Sequence, residues 1–244
     1  MVRTIHSTNE NCREFSRMKA LYAISEAVRE DLLKRQYDSI VVENGVPTSL
    51  IRQKKDYQLK KKFYQLVQVS RLYIKHKGQD ILLQALKELI QNRGINNFQL
   101  HLIGDGESRR FLEKMVKDLS LEIFVVFEGA KTQEYIFEHL ADYDCFVQPS
   151  RQEGFGLTVA EAMAAKLPVL VSNLDGPMEI VDNGRVGMLF ERDNPIDLAD
   201  KLEVILRGDY DYRMIEKAYE RVVTMYDVSM TANKYIQEYR KIVG

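Results

Sequence analysis

An α/β fold built on a doubly wound parallel sheet is what this sequence predicts, and three observations carry that reading. From about residue 63 onward, short β-rich apolar runs alternate with segments of helical spacing. No hairpin turn joins one strand-like run to the next, so the strands lie parallel and need helical cover on both faces. One strand-to-helix junction, SRQEGFGLTVAEAMA at 150–164, places two glycines between two glutamates. In open parallel sheets, ligands bind outside the carboxyl ends of the strands, where that junction falls.

The elements follow in order. RTIHS (3–7) is a candidate strand end, and ALYAISEAVREDLLKRQ (20–36) reads as a strand and then a helix. Ser25 caps that helix. Val28 stands where a capping box would need Glu or Gln, so the box is absent, while Glu26 in the first turn suits the helix dipole. SIVVENGV (39–46) reads as a strand entering an Asn-Gly turn, and the polar, lysine-rich stretch to residue 62 as a linker. Lys54-Lys55 and Lys60-Lys61-Lys62 are expected to form a solvated face of it.

FYQLVQV (63–69) is a strand, followed by a helix with Leu82, Ala85, Leu86 and Leu89 on one face. FQLHLIG (98–104) alternates like a strand, and Phe111, Leu112, Met115, Val116 and Leu119 mark the next helix. IFVVFEG (123–129) reads as a buried strand, with Thr132 capping the helix after it. DCFVQP (144–149) and PVLVS (168–172) are strands that flank the quoted junction. Asn194-Pro195 opens a helix carrying Leu198, Leu202, Ile205 and Leu206, and 229–243 forms a last helix. Its apolar residues are Met230, Tyr235, Ile236, Tyr239 and Ile242. The expected division is 1–50, a linker at 51–62, a complete domain at 63–210, and C-terminal helices at 211–244 that return toward the first segment.

Composition narrows the function. With 35 Lys and Arg against 36 Asp and Glu, the chain has no basic excess that would call for nucleic acid. Cys12 and Cys145 do not make a disulfide framework, and Cys145 reads as a small core residue. No charged start with an apolar run marks a signal peptide, and no stretch approaches a membrane span, so the expectation is cytoplasmic. Peripheral attachment through a partner or acceptor is compatible with it.

At the junction, Gly154 and Gly156 let the backbone approach a ligand closely. The helix opening near Leu157 and Thr158 presents unpaired amides and a partial positive charge suited to phosphate. Carboxylates accept paired hydrogen bonds from vicinal diols, so Glu153 and Glu161 could each take one ring of a ligand with phosphates in its middle. A nucleotide-sugar is such a ligand. A solvated pair of helix-surface glutamates is the bland alternative.

EGFGLTVAEAMA resembles the E-x7-E region of the retaining glycosyltransferases of family 4, which have the two-domain GT-B fold. QVSRLYIKHKGQDILLQAL (68–86) is similar to the Arg…Lys-Gly segment of that family, and LIGDGES (102–108) to its Gly-x-Gly turn. FEGAKTQEY, DCFVQPSRQEGFG and DGPMEIVDNGRVGMLF continue the match in order over roughly 63–206. The resemblance implies that Arg71 and Lys77 hold the diphosphate and stabilise it as it leaves. It implies that Glu161 binds the ribose hydroxyls and Glu153 the donor sugar, with Gly154, Phe155 and Gly156 offering backbone groups. Gly104 and Gly106 are weaker matches. Glu179 fits an acidic position of the family, although Asp175 replaces the first of a glycine pair and Lys166 stands where glycine is usual.

The resemblance further implies no cofactor or metal and a nucleotide-diphosphate sugar as donor, UDP-sugar favoured over GDP-sugar. The acceptor would be a glycan or lipid-linked sugar in surface polysaccharide or glycoconjugate synthesis. Of the family's amino-terminal, acceptor-binding domain only the tail is recognisable, in ALYAISEAVREDL and VVENGV. His6 matches a later histidine than the one the family uses at the donor sugar. Two readings therefore stay open: an enzyme completed by a second chain or by self-association, and a nucleotide-sugar-binding module without turnover. A dinucleotide oxidoreductase, suggested by GDGES alone, lacks the third glycine and the acid of that fingerprint.

Overall fold

Residues 1–46 build a small parallel sheet. The computed structural model describes residues 1–8, 10–11, 14–57 and 60–243; the expectation for Cys12 lies outside them. β1 (Val2–Ile5) and β3 (Ile40–Val41) flank β2 (Ala20–Ala23), and α1 (Glu26–Lys34) connects β2 to β3. Ser25 caps α1 as predicted, its hydroxyl accepting from the Val28 amide at 3.2 Å. Asn44-Gly45 is not the expected turn. The chain makes no turn there, and a Cβ on Gly45 would lie 2.5 Å from the Val228 Cα. The glycine serves close contact rather than reversal.

Six strands form the large sheet. They are β4 (Tyr64–Val69), β5 (Phe98–Ile103), β6 (Val125–Gly129), β7 (Cys145–Gln148), β8 (Val169–Ser172) and β9 (Met188–Phe190), in the order β6-β5-β4-β7-β8-β9. Every pairing is parallel. This is the doubly wound order predicted, with its reversal between β4 and β7. The connecting helices are α2 (Ile74–Lys77), α3 (Gln79–Gln91), α4 (Arg109–Asp118), α5 (Gln133–His139), α6 (Leu157–Ala164), α7 (Asp175–Ile180) and α8 (Pro195–Leu206). Thr132 and Asn194 cap α5 and α8 as the sequence predicts.

Apolar side chains of α3, α4 and α8 pack with Leu66, Leu100, Val147 and Leu170 on one face of the sheet. Those of α5 and α6 pack with Val67, Phe146, Val169 and Val171 on the other, in a cluster that also takes in Ile5, Ala23, Ile24 and Val28. The small sheet therefore shares a core with the large one, beside the end of β7. Cys145, at the start of β7, is fully buried on the opposite face, and burial pushes its thiol pKa up.

Two expectations are corrected. β6 is an edge strand whose only buried residue is Val125, so its apolar run reflects half-buried edge packing. The lysines of 51–62 are not all solvated. Lys54 and Lys61 both donate to Asp144 Oδ1, at 3.1 and 2.6 Å, while Asp144 Oδ2 accepts from the Gln65 amide. Burial lowers the pKa of the Lys54 ammonium, partly offset by Asp144. This clasp ties the connecting segment under the amino ends of β4 and β7.

α9 (Arg213–Met225) packs against α6, and α10 (Val228–Val243) returns to the small sheet. Tyr235 and Tyr239 meet the buried Tyr22 ring edge-on at 5.3 and 5.9 Å, and the Tyr235 hydroxyl shares a 2.9 Å hydrogen bond with Thr4. Val46 pairs with the chain at 226–228, which sets where α10 begins.

Candidate functional site

β4 and β7 are neighbours at the point where the strand order reverses, so the loops after them diverge and leave a crevice. A cleft of about 320 Å³ opens there, lined by Arg71 and Lys77 after β4, and by Glu153, Phe155, Gly156, Leu157 and Thr158 after β7. His6, Ile24 and Asn44 close it from the small sheet. A groove of about 780 Å³ adjoins it, sharing His6, Arg71, Lys77 and Glu153.

Lys77 ends the single turn of α2, and its ammonium lies 2.5 Å from Glu153 Oε2. Both side chains are about four-fifths buried, at 21% and 17% exposure, so the pair is better insulated than a surface ion pair. Arg71 lies on the face of the Tyr73 ring, 4.9 Å from its centroid, and has no carboxylate partner among the described residues. The cleft therefore holds one cation already neutralised and one that is not.

Gly156 has φ +108°, a conformation that glycine alone adopts without strain, and it precedes α6. Leu157 and Thr158 then put the amides of the first helical turn at the cleft. A Cβ on Gly154 would lie 2.6 Å from the His6 carbonyl oxygen, and the Ser25 hydroxyl donates to the Gly154 carbonyl at 2.7 Å. The glycine loop is thus fastened to the small sheet.

Glu161, one turn into α6, is 7% exposed and accepts one long hydrogen bond of 3.4 Å from Gln133. Burial pushes its pKa up to about 7. Such a carboxylate lacks donors, and a pair of ribose hydroxyls would supply them. Glu179 sits apart from the cleft lining, accepting from the Glu26 amide at the start of α1, and burial raises its pKa. Gly104 is also outside that lining. Its amide donates to the Gly129 carbonyl, and a Cβ on it would lie 2.0 Å from the Ser70 oxygen, so its place is set by backbone packing. Among the described residues, no group of three or more His, Cys, Asp and Glu side chains could hold a metal.

Residues 51–221, more than half of the chain, match the family described as glycosyl transferases, group 1. The chain belongs to the group 1 glycosyl transferases. A glycosyltransferase of Methanocaldococcus jannaschii is 31% identical over 186 residues, 76% of this chain and 48% of the relative. The poly(ribitol-phosphate) alpha-N-acetylglucosaminyltransferase of Staphylococcus aureus is 28% identical over 227 residues, 91% of this chain and 44% of the relative. Among solved structures, a mutant of Staphylococcus aureus TarM in complex with Fondaparinux, alpha-GlcNAc-glycerol and UDP superposes with a TM-score of 0.81 at 24% identity. That superposition covers 97% of this chain and 50% of the other, and it shows a shared GT-B fold. The chain spans about half the length of the curated relatives it matches.

In this group 1 glycosyl transferase chain, sequence reasoning missed four side chains that hold the site together. Arg151 bonds both oxygens of Asp80 at 2.7 and 2.9 Å, with a further bond of 2.5 Å to Asp193, locking the glycine loop to α3. Gln68, Gln79 and Gln148 lie buried behind the cleft, each donating an amide hydrogen bond to a residue of the site. For Gln68 and Gln148 a signal was readable: a glutamine inside an apolar strand run, as in QLVQV and CFVQP, must find partners when buried. Of the histidines, His101 is bonded on both ring nitrogens, to Glu128 and Gln65, and His139 is bonded to Asp142.

Proposed function

We propose that this chain is the donor-binding half of a retaining glycosyltransferase of family 4. It would transfer a sugar from a nucleotide diphosphate to an acceptor hydroxyl. The observation that carries the reading is the convergence of Arg71, Lys77, Glu153 and the α6 amino terminus on one cleft at the sheet's switch point. Arg71 and Lys77 meet the diphosphate, and the α6 amides add a fixed positive pole. Glu161 takes the ribose hydroxyls and Glu153 those of the sugar. Lys77 must leave Glu153 to reach a phosphate, which exchanges one charge-assisted bond for another.

As charge builds on the departing diphosphate, the two cations stabilise it, and its oxygen helps take the acceptor proton on the same face of the sugar. The phosphate charge is met by Arg71 and Lys77, so these residues need no metal for that task. UDP-sugars are the favoured donors over GDP-sugars, in line with the UDP named in the TarM complex. The acceptor is a glycan or lipid-linked sugar, the pathway surface polysaccharide or glycoconjugate synthesis, and the place cytoplasmic. No helix among the described residues is long and apolar enough to cross a membrane. Because the chain spans about half of its relatives, a second reading stands beside the first: a nucleotide-sugar-binding module that needs a partner chain for turnover.

Calorimetric titration with a panel of nucleoside diphosphates and their sugars, followed by a transfer assay, tests the reading. Glu161→Ala should weaken both ligand types, because both contain the ribose. Glu153→Ala should weaken only the sugar-bearing ligand. It should tighten the free diphosphate slightly, by about 0.5–1 kcal/mol, since Lys77 no longer has a competing partner. Equal losses of the free diphosphate in both variants would sink the division of roles.

A further inference from the structure

Lys77 and Gln148 share one oxygen of Glu153. The Lys77 ammonium lies 2.5 Å from Glu153 Oε2, and the Gln148 side-chain amide lies 3.5 Å from the same atom. The short bond belongs to the ammonium and the long one to the amide. When Lys77 turns to a phosphate, Gln148 is the donor already aimed at the vacated oxygen. We propose that Gln148 is a positioning residue for the donor sugar, its amide N–H holding the Glu153 carboxylate in place once Lys77 has left it. The inference rests on the reading above that Glu153 contacts the sugar.

The surroundings of Gln148 suit that task. It ends β7 and is fully buried, in a run otherwise apolar. An amide buried in the middle of a sheet costs stability unless it is bonded. Its nitrogen also donates to the Ser150 hydroxyl at 2.8 Å, and the Ser150 carbonyl is itself held by the Ser172 hydroxyl at 2.7 Å. The amide is therefore anchored on one side and free to shorten its contact with Glu153 on the other.

Two neighbouring glutamines give an internal comparison. Gln68 donates to the Lys77 carbonyl at 3.1 Å, and Gln79 to the Arg71 carbonyl at 3.0 Å. Both hold the main chain of the phosphate cations and neither touches Glu153 Oε2. Their loss should act on every diphosphate ligand alike, whereas loss of the Gln148 amide should act through the sugar.

The test is titration of the full chain with UDP and with UDP-N-acetylglucosamine. Gln148→Met, close in size, should weaken UDP-N-acetylglucosamine by about tenfold, the loss of one hydrogen bond to a charged group. Its affinity for UDP should stay within about twofold of the parent. Gln68→Met should weaken both ligands in parallel. Gln148→Leu removes the donor without adding a charge, so it should show the same selective loss, and it decides the matter if the methionine variant folds poorly. Equal loss of both ligands in the Gln148 variants, or no loss of either, overturns the inference. If Glu153→Ala does not separate the two ligands, the function assigned to the site falls as well. If it does separate them and Gln148→Met does not, only the role of Gln148 falls.

Discussion

Glu161 carries a carboxyl that burial pushes up to about 7, and that gives the site a pH dependence with a definite sign. Below pH 7 the free chain holds this group protonated, so a ribose that bonds the carboxylate must first displace a proton. Affinity for a nucleotide-sugar should therefore rise between pH 6 and pH 8 and level off above, while Glu161→Gln should remove that rise. The sugar-bearing ligand is the right probe, because a free terminal phosphate titrates near pH 6 itself. The same group makes the folded chain less stable as pH rises from its unfolded value through 7, since the folded state binds the proton more tightly. Glu161→Gln should accordingly be the more stable chain at pH 8, by an amount on the order of 1–3 kcal/mol. That Arg71, Lys77, Glu153 and Gly156 would meet in one cleft was legible in the sequence, because all of them stand in the segments that follow two neighbouring parallel strands. Gln68 and Gln148, in strand runs, and Gln79, at the start of α3, were not read as part of it, because burial marks a glutamine as bonded without saying to what. The Lys77–Glu153 pair, too, joins residues 76 positions apart and belongs to tertiary structure alone.

Ser25 joins two elements. Its hydroxyl accepts from the Val28 amide to cap α1 and donates to the Gly154 carbonyl in the glycine loop. Ser25→Ala should cost about 1–2 kcal/mol, the sum of a lost cap and a lost hydrogen bond. Chemical denaturation reads that loss, and Glu26→Ala, which keeps the Ser25 hydroxyl, serves as the control. A Ser25→Ala chain as stable as its parent would show that neither bond contributes. At this scale the alternating pattern revealed β4 to β8 and their long helices, because each carries enough apolar residues in register for its period to show, even at the half-buried edge strand β6. It did not reveal β9, with three residues, or the short helices α2 and α7, whose periods are too few to register. Lys54 was misread for another reason: a lysine in a polar stretch reads as solvated, and only the folded chain brings Asp144 beneath it. Lys166, standing where the family has glycine, adopts φ +59° and bonds Glu216, so the left-handed turn persists without the residue that suits it best.

The chain as a whole presents the cleft between β4 and β7 beside a small three-stranded sheet, over about half the length of its relatives. α10 covers Tyr22 with Tyr235 and Tyr239, yet Met225, Val228, Met230, Ile236 and Tyr239 remain between 43% and 47% exposed. Apolar surface of that kind marks association. We expect the chain alone to self-associate in light scattering and to show little or no transfer of sugar; a monodisperse monomer with ordinary enzyme rates would contradict both. Binding should need no partner, because Arg71, Lys77, Glu153, Glu161 and the start of α6 all lie after residue 63. Calorimetric titration of the parent, Arg71→Ala and Lys77→Ala chains with UDP tests this most directly. The parent should bind, and each variant should bind more weakly by roughly 1.5–3 kcal/mol, the value of a charge-assisted hydrogen bond. Variants that hold UDP as tightly as the parent, or a parent that binds no nucleoside diphosphate, would contradict it.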